Sequence, residues 1–360
     1  MADQHGPIIE TNGLSRHFTV NRRRTGMLGS LRGLVDRGGT EVRAVDDISF
    51  SVQSGEMVGY LGPNGAGKST TIKMMTGILV PSPGTATVAG LTPWTDRRAL
   101  AARIGVVFGQ RTQLWWDLPL IDSLELLRHV YRIPSGRHAA MLRSMREVLD
   151  LDAFLETPVR QLSLGQRMRG DLAAAMLHEP PILYLDEPTI GLDVVAKARV
   201  RDFLVELNRN REVTVMLTTH DLADVEHLCS RLIIIDGGRL IFDGTLAEIK
   251  RRFGAIRTLV VDLDGGDDGF IDRLGAELPV GAGLEASEGP RCRIRFDSRL
   301  LTAADLMAAV VAIHPISDLT IEEPAIEEII RGIYERGIEG DPVAPASQGG
   351  RTGWRIIDGT

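Results

Sequence analysis

Upstream of Gly244 the apolar residues gather into short unbroken runs, separated by stretches with helical spacing. EMVGYLG, PILYLDEP, VTVMLTTH and RLIIIDGG each hold such a run, bounded by Gly, Pro or charged residues. That is the pattern of strands buried on both faces of a sheet. Residues 8–20 and AVDDISFSV read as further strands, the second alternating as a half-buried strand does. TIKMMTGIL and AAMLRSMREVLD have helical spacing, the latter placing Met141, Met145 and Val148 on one face. Alternating strands and helices predict an α/β domain with a mostly parallel sheet over residues 1–244.

The pattern changes after Gly244. Residues 246–253 predict a helix, TLVVDLDGG and RCRIRFD predict strands, and LLTAADLMAAVVAI and IEEPAIEEIIRGIYE predict helices. These make a smaller α+β domain over 245–336, followed by a Gly-, Pro- and Ser-rich tail, 337–360, expected to be disordered. No internal repeat is visible.

With 43% hydrophobic and 25% charged residues, the composition is that of an ordinary globular protein. A formal net charge of -7 argues against a general nucleic-acid binder, so no nucleic-acid partner is expected. Cys229 and Cys292 lie far apart, without metal-ligand spacing, and are read as cytosolic thiols. MADQHGPIIE has no basic segment before an apolar one, so no signal peptide is expected. No apolar run is long enough to span a membrane, and any pore would need another chain.

GPNGAGKST fits G-x-x-x-x-G-K-[ST] between a predicted strand and a predicted helix. Gly62, Pro63, Asn64, Gly65, Ala66, Gly67, Lys68, Ser69 and Thr70 are therefore expected to cradle the phosphates of ATP. Lys68 would meet the β- and γ-phosphates, and the Ser69 hydroxyl would take a magnesium position. A glycine turn with a surface lysine is the bland alternative. ILYLDEP supplies a buried strand ending in acid at the sheet's carboxyl edge, where ligands of such folds gather. Asp186 would hold magnesium and Glu187 would act as general base on the attacking water.

Between these motifs lies LSLGQRMRGDLAAAMLHEP. With it, residues 8–244 resemble an ATP-binding-cassette (ABC) ATPase: a P-loop NTPase domain with a helical subdomain over about 112–178. Ser163, Gly165 and Gln166 match the family's LSGGQ signature, with Leu164 in place of its first glycine. Read without the family, LSLGQ is an N-capped helix start. Gln110 resembles the Q-loop glutamine that senses magnesium and the transmembrane partner, at a spacing lengthened by Gly109; Gln113 is the substitute. Asp193 in IGLD resembles the D-loop aspartate, and His220 in LTTHD the switch histidine that contacts the γ-phosphate. Phe18 resembles the aromatic that stacks on adenine, with a core phenylalanine as the alternative. The resemblance implies a homodimer that sandwiches ATP between the phosphate loop of one subunit and the signature of the other. It also implies an integral-membrane permease as partner, and a place on the cytoplasmic face of the membrane.

FGQRTQLWWDLP, LSLGQRMR, DEPTIGLD and the C-terminal LTIEEPAIEEIIRGIY resemble the multidrug and natural-product exporter branch, and within it the viologen-exporter-like bacterial ATPases. Trp115 and Trp116 read equally as core residues or as anchors for the permease. The arginine-rich insertion 21–43 reads either as a solvated loop or as a basic amphipathic helix for anionic lipid or the permease. The rival class is a soluble ABC ATPase acting on DNA or the ribosome. The coiled coil or Cys clusters expected of it are missing between Lys68 and Asp186.

Overall fold

The run MVGYL folds as a strand buried at every position, with parallel neighbours on both sides. Its neighbours come from distant parts of the chain, so a sheet forms whose carboxyl edge collects several loops. The computed structural model describes residues 6–20, 40–109, 111–264, 270–289 and 291–336. It divides into two compact units, Met1–Glu248 and Ile249–Thr360.

The first unit runs β1 (Ile9–Val20), β2 (Thr40–Val52), β3 (Met57–Leu61), α1 (Lys68–Met75), β4 (Thr85–Val88), α2 (Arg97–Ala101) and β5 (Ile104–Phe108). Three helices follow, α3 (Leu120–Val130), α4 (Ser135–Val148) and α5 (Leu164–Met176). The chain then returns to the sheet with β6 (Ile182–Asp186), α6 (Val194–Arg211), β7 (Thr214–Thr218), α7 (Leu222–Leu228), β8 (Arg231–Asp236) and β9 (Arg239–Thr245). The main sheet has the order β5-β6-β7-β3-β8-β9, parallel from β5 through β8 and closed by antiparallel β9. A second, antiparallel sheet, β2-β1-β4, shares one apolar core with it through Ile9, Leu14, Tyr60, Ile72 and Tyr184. On α4, Met141 and Met145 are buried, and Val148 is partly so.

The second unit begins within α8 (Leu246–Phe253) and continues β10 (Ile256–Leu263), α9 (Phe270–Glu277), β11 (Ala282–Glu288), β12 (Arg291–Asp297), α10 (Ala303–Ile313), β13 (Ile316–Glu322) and α11 (Ile326–Arg336). Its antiparallel sheet has the order β11-β12-β10-β13, the split βαβ arrangement of a βαββαβ chain. Leu259, Val261, Cys292, Ile294 and Phe296 alternate onto the face that packs against Leu274, Leu306 and Val310. Between them, Arg291 and Arg293 form cross-strand ion pairs with Asp262 and Glu322.

Three sequence expectations change. The segment IEEPAIEEIIRGIYE is split, with Ile321 and Glu322 ending strand β13 and the helix starting only at Ile326, past Pro324. That proline lacks the N–H that would carry a strand on. Residues 40–43, assigned to the basic insertion, extend β2 because Val20 pairs with Thr40 and Phe18 with Val42. Trp115 and Trp116 are not core residues, being 41% and 50% exposed. The insertion's residues 21–39, Gln110 and the tail 337–360 lie outside the described residues.

Candidate nucleotide site

Four neighbouring strands, β5, β6, β7 and β3, deliver their carboxyl ends to one edge of the sheet. The chain leaves β3 through the glycine-rich loop, in which Gly65 has φ +83° and Gly67 φ +108°. A side chain on Gly67 would also put its Cβ 2.5 Å from the Ala44 carbonyl oxygen, so glycine is required twice over. Gly67 caps α1 without a side-chain hydrogen bond. The first-turn residues Lys68, Ser69 and Thr70 line the cavity with no side chain capping their N–H groups, the arrangement that favours an anion.

Lys68 opens α1, and its Nζ donates to the carbonyls of Gly62 (2.5 Å) and Pro63 (3.1 Å). Burial lowers its pKa, opposed by the nearby carboxylates of Glu187 and Asp186. From β7, the Thr218 hydroxyl donates to Asp186 at the end of β6. Glu187 follows with φ +57°, a left-handed conformation that non-glycine residues seldom hold. Its backbone N–H donates to the Thr218 carbonyl at 2.9 Å, fixing β6 to β7 at this point. The Glu187 carboxylate faces His220, 3.4 Å from Nε2, and accepts from the His220 backbone N–H at 3.4 Å. Burial raises the Glu187 pKa, while His220 pulls it down.

Residues 64–70, Asp186, Glu187 and His220 line a single cavity of about 540 Å³. Lys73, Gly109 and Ile190 also line it, as do Ala44, Ile78, Phe108 and Arg111, which were not anticipated. Ala44 arrives through the pairing of β1 with β2, which no local motif reveals. Gly62 and Pro63 lie just before the cavity wall and act through their carbonyls on Lys68.

Other expected residues stand apart from this cavity. Phe18 is partly buried, with the Arg16 guanidinium 4.8 Å from its ring centroid, and does not line the cavity. Ser163 caps α5: its Oγ accepts from the Gln166 N–H at 3.2 Å, and Gln166 Oε1 accepts from the Ser163 N–H at 2.9 Å. This reciprocal capping box is the N-capped helix start read from LSLGQ. Leu164 is 39% exposed and lies over Gly191, whose φ is +72°. Asp193 caps α6, accepting from the Ala196 N–H at 2.8 Å.

Sequence reasoning also missed a buried tie behind the site. Thr189 donates to Asp224 at 2.5 Å, and Arg201 Nε donates to the same carboxylate at 2.5 Å. The segment after Glu187 is thereby fixed to the helix after His220. A buried acid 35 residues from its hydroxyl partner leaves no periodic or motif signal.

The donors in the cavity suit a hard divalent cation. Ser69 and Asp186 offer oxygen ligands, and among the described residues no cluster of three or more His, Cys, Asp or Glu forms a closed cage. One or two protein oxygens completed by substrate phosphates is the habit of magnesium.

The chain matches the ABC transporter family over residues 45–190. It is 34% identical over 302 residues to the daunorubicin resistance ATP-binding protein DrrA3 of Streptomyces coeruleorubidus, covering 84% of this chain and 87% of that protein. The linearmycin resistance ATP-binding protein LnrL of Bacillus subtilis is 29% identical over 293 residues, covering 81% and 94%. A solved ATP-binding subunit of an ABC transporter superposes with a TM-score of 0.59 at 27% identity, covering 69% of this chain and 93% of that one. Sequence, fold and the loop-lined cavity agree, and the chain belongs to the ABC transporter family as an ATP-binding subunit that hydrolyses ATP.

Proposed function

We propose that this chain is the motor of an exporter, closing as a homodimer on two ATP-magnesium complexes and driving a separate integral-membrane permease. One observation carries the reading: a single chain gathers Lys68, Asp186, Glu187 and His220 in one cavity and leaves Ser163, Gly165 and Gln166 outside it. A second copy, presenting those residues over the nucleotide, would complete the site.

In that arrangement Lys68 exchanges the Gly62 and Pro63 carbonyls for β- and γ-phosphate oxygens, and the first turn of α1 adds N–H groups. Glu187 takes the proton of the attacking water, a contribution of about 10²–10⁴-fold. His220, already against that carboxylate, orients water and γ-phosphate. Ser69, Asp186 and Gln110 would hold a magnesium ion, which when bound would neutralise phosphate charge. Phe18 stacks on adenine from the neighbouring sheet, and Asp193 faces the other subunit at the dimer axis. The domains divide as residues 1–244, the ATPase with its helical subdomain, and 245–336, an accessory domain that supports the dimer or regulates it.

Export is supported by two relatives named as resistance proteins, both matched over more than four fifths of this chain. Resemblance of the Q-loop and signature segments supports a reading near the viologen-exporter-like group. Among the described residues no helix is long and apolar enough to cross a membrane, in keeping with a peripheral subunit on the cytoplasmic face.

Glu187→Gln tests the cycle. It should retain ATP binding, lower turnover at least 10²-fold and trap an ATP-dependent dimer in light scattering. Normal turnover overturns the assigned base. Co-purification with a multi-helix membrane protein, and ATP-driven accumulation of an amphipathic cationic drug in inside-out vesicles, test export; outward-facing uptake instead would reverse the direction.

A further inference from the structure

The segment leaving β5 passes along the ATP cavity at Phe108, Gly109 and Arg111, then turns over the side of α5. There it meets a buried acid. Asp171 is 5% exposed, and its Oδ1 accepts from the Thr112 hydroxyl at 2.9 Å and the Gln113 N–H at 3.0 Å. The Gln113 side chain returns a bond to the Asp171 carbonyl at 3.2 Å. Burial raises the Asp171 carboxyl to about 6, the bonds from Gln113 and Thr112 opposing it.

The apolar contacts are equally close. A Cβ on Gly170 would stand 2.9 Å from Leu120, at the head of α3, and 3.1 Å from Leu114 in the turn, so both pack directly on the backbone of α5. One turn nearer the N-terminus, the Arg167 guanidinium is 5.5 Å from the Trp116 ring centroid. Ser163, Arg167 and Asp171 follow at intervals of four and share one face of α5. A carboxylate is a costly group to bury for packing alone. Its two donors both come from the turn that continues the cavity wall, so what it secures is the position of that turn against α5.

We propose that Asp171 is a positioning residue that couples the turn at the ATP-cavity wall to Ser163 and Gly165 at the head of α5. The inference rests on the reading that these signature residues complete the site of a second copy. Asp171 lies about 12 Å along the axis from Ser163 at 1.5 Å per residue, on a helix without a break. A shift of the turn, driven by ATP beside Arg111 or by a partner on Trp115 and Trp116, therefore moves the whole helix as a lever. Each chain's own ATP would set how its signature meets the ATP of the other.

The test uses the full chain carrying Glu187→Gln, comparing Asp171→Ala and Asp171→Asn. Two quantities are read: affinity of the single chain for a fluorescent ATP analogue, and the ATP concentration that gives half-maximal dimer. Asp171→Ala should leave the first within twofold and raise the second at least tenfold. Asp171→Asn keeps an oxygen that accepts both bonds and should stay within threefold in each. An unchanged dimer midpoint in Asp171→Ala overturns the proposal, and so does a parallel loss of single-chain affinity, which marks general loosening. If Asp171→Ala does not fold, Thr112→Val should raise the midpoint at least threefold, and no rise overturns it. A Glu187→Gln parent that stays monomeric in saturating ATP breaks the composite-site reading instead. Amide exchange then decides the coupling: it should quicken at residues 163–167 at least tenfold in Asp171→Ala and not in Asp171→Asn, and equal rates overturn it.

Discussion

Two helices of the ATPase unit begin at residues expected to meet phosphate, and they begin in opposite ways. α1 starts from Gly67, which has no side chain to offer, and its first turn, Lys68, Ser69 and Thr70, lines the cavity uncapped. α5 starts from Ser163, whose side chain and that of Gln166 already satisfy each other's N–H groups. The first is a standing anion site within one chain. The second spends its cap on itself: the Ser163 hydroxyl and the Gln166 N–H have to give up their mutual bond before either takes a ligand. In the proposed dimer the difference separates two events: binding of ATP belongs to the loop, and closing belongs to the signature.

The largest expected effect attacks the open end. Lys68→Ala removes the charge-assisted contacts to phosphate and frees the Gly62 and Pro63 carbonyls from their donor. Single-chain ATP affinity should fall about 100-fold, about 3 kcal/mol by calorimetry. Affinity retained within threefold would mean that the loop backbone alone carries binding, and the contrast with α5 would lose its chemical basis.

The open end was also the more legible one. Glycines at positive φ, a lysine at a fixed place and an apolar strand ending in Asp186 each declare themselves in a few consecutive residues. Ser163 and Gln166 declared a helix start for the same reason, since a capping box is local. What escaped the sequence was non-local. Asp171 with Thr112, and Asp224 with Thr189 and Arg201, are buried polar ties between segments that only the fold brings together. Ala44 reaches the cavity through strand pairing, and Arg111 stands outside every motif that marks the site. In the second unit β13 was not read as a strand, and its last two residues, Ile321 and Glu322, were read into a helix, because an edge strand exposed along most of its length has no clear alternation to read.

A smaller effect is expected at the closed end. Leu164, in place of the family's glycine, leans into the space left by Gly191, where a Cβ would stand 2.5 Å from Leu164 Cδ2. Gly191→Ala should cost about 1–3 kcal/mol in denaturant unfolding, through both that clash and its positive φ. Adding Leu164→Ala should restore the steric part, giving a non-additive double-mutant cycle. Single-chain ATP affinity should not move in either variant. Strict additivity would show that the two residues do not share the space, and that the leucine is accommodated elsewhere.

The smallest effect separates the cap from the phosphate contact, which Ser163 combines in one hydroxyl. Ser163→Ala should lose about 1 kcal/mol of stability as an uncapped helix start, leave single-chain ATP affinity unchanged and weaken ATP-driven dimerisation. Ser163→Asp distinguishes the reasons. An aspartate caps a helix as well as serine does, so stability should return. In the proposed dimer it also sets a negative charge toward the other subunit's γ-phosphate, so dimerisation should stay lost. If both properties return together, Ser163 serves only to hold the end of α5, and the nucleotide must be met by the N–H groups of Leu164 and Gly165. If stability returns alone, the serine hydroxyl itself faces phosphate, and the capping bond to the Gln166 N–H is the one given up when the dimer closes.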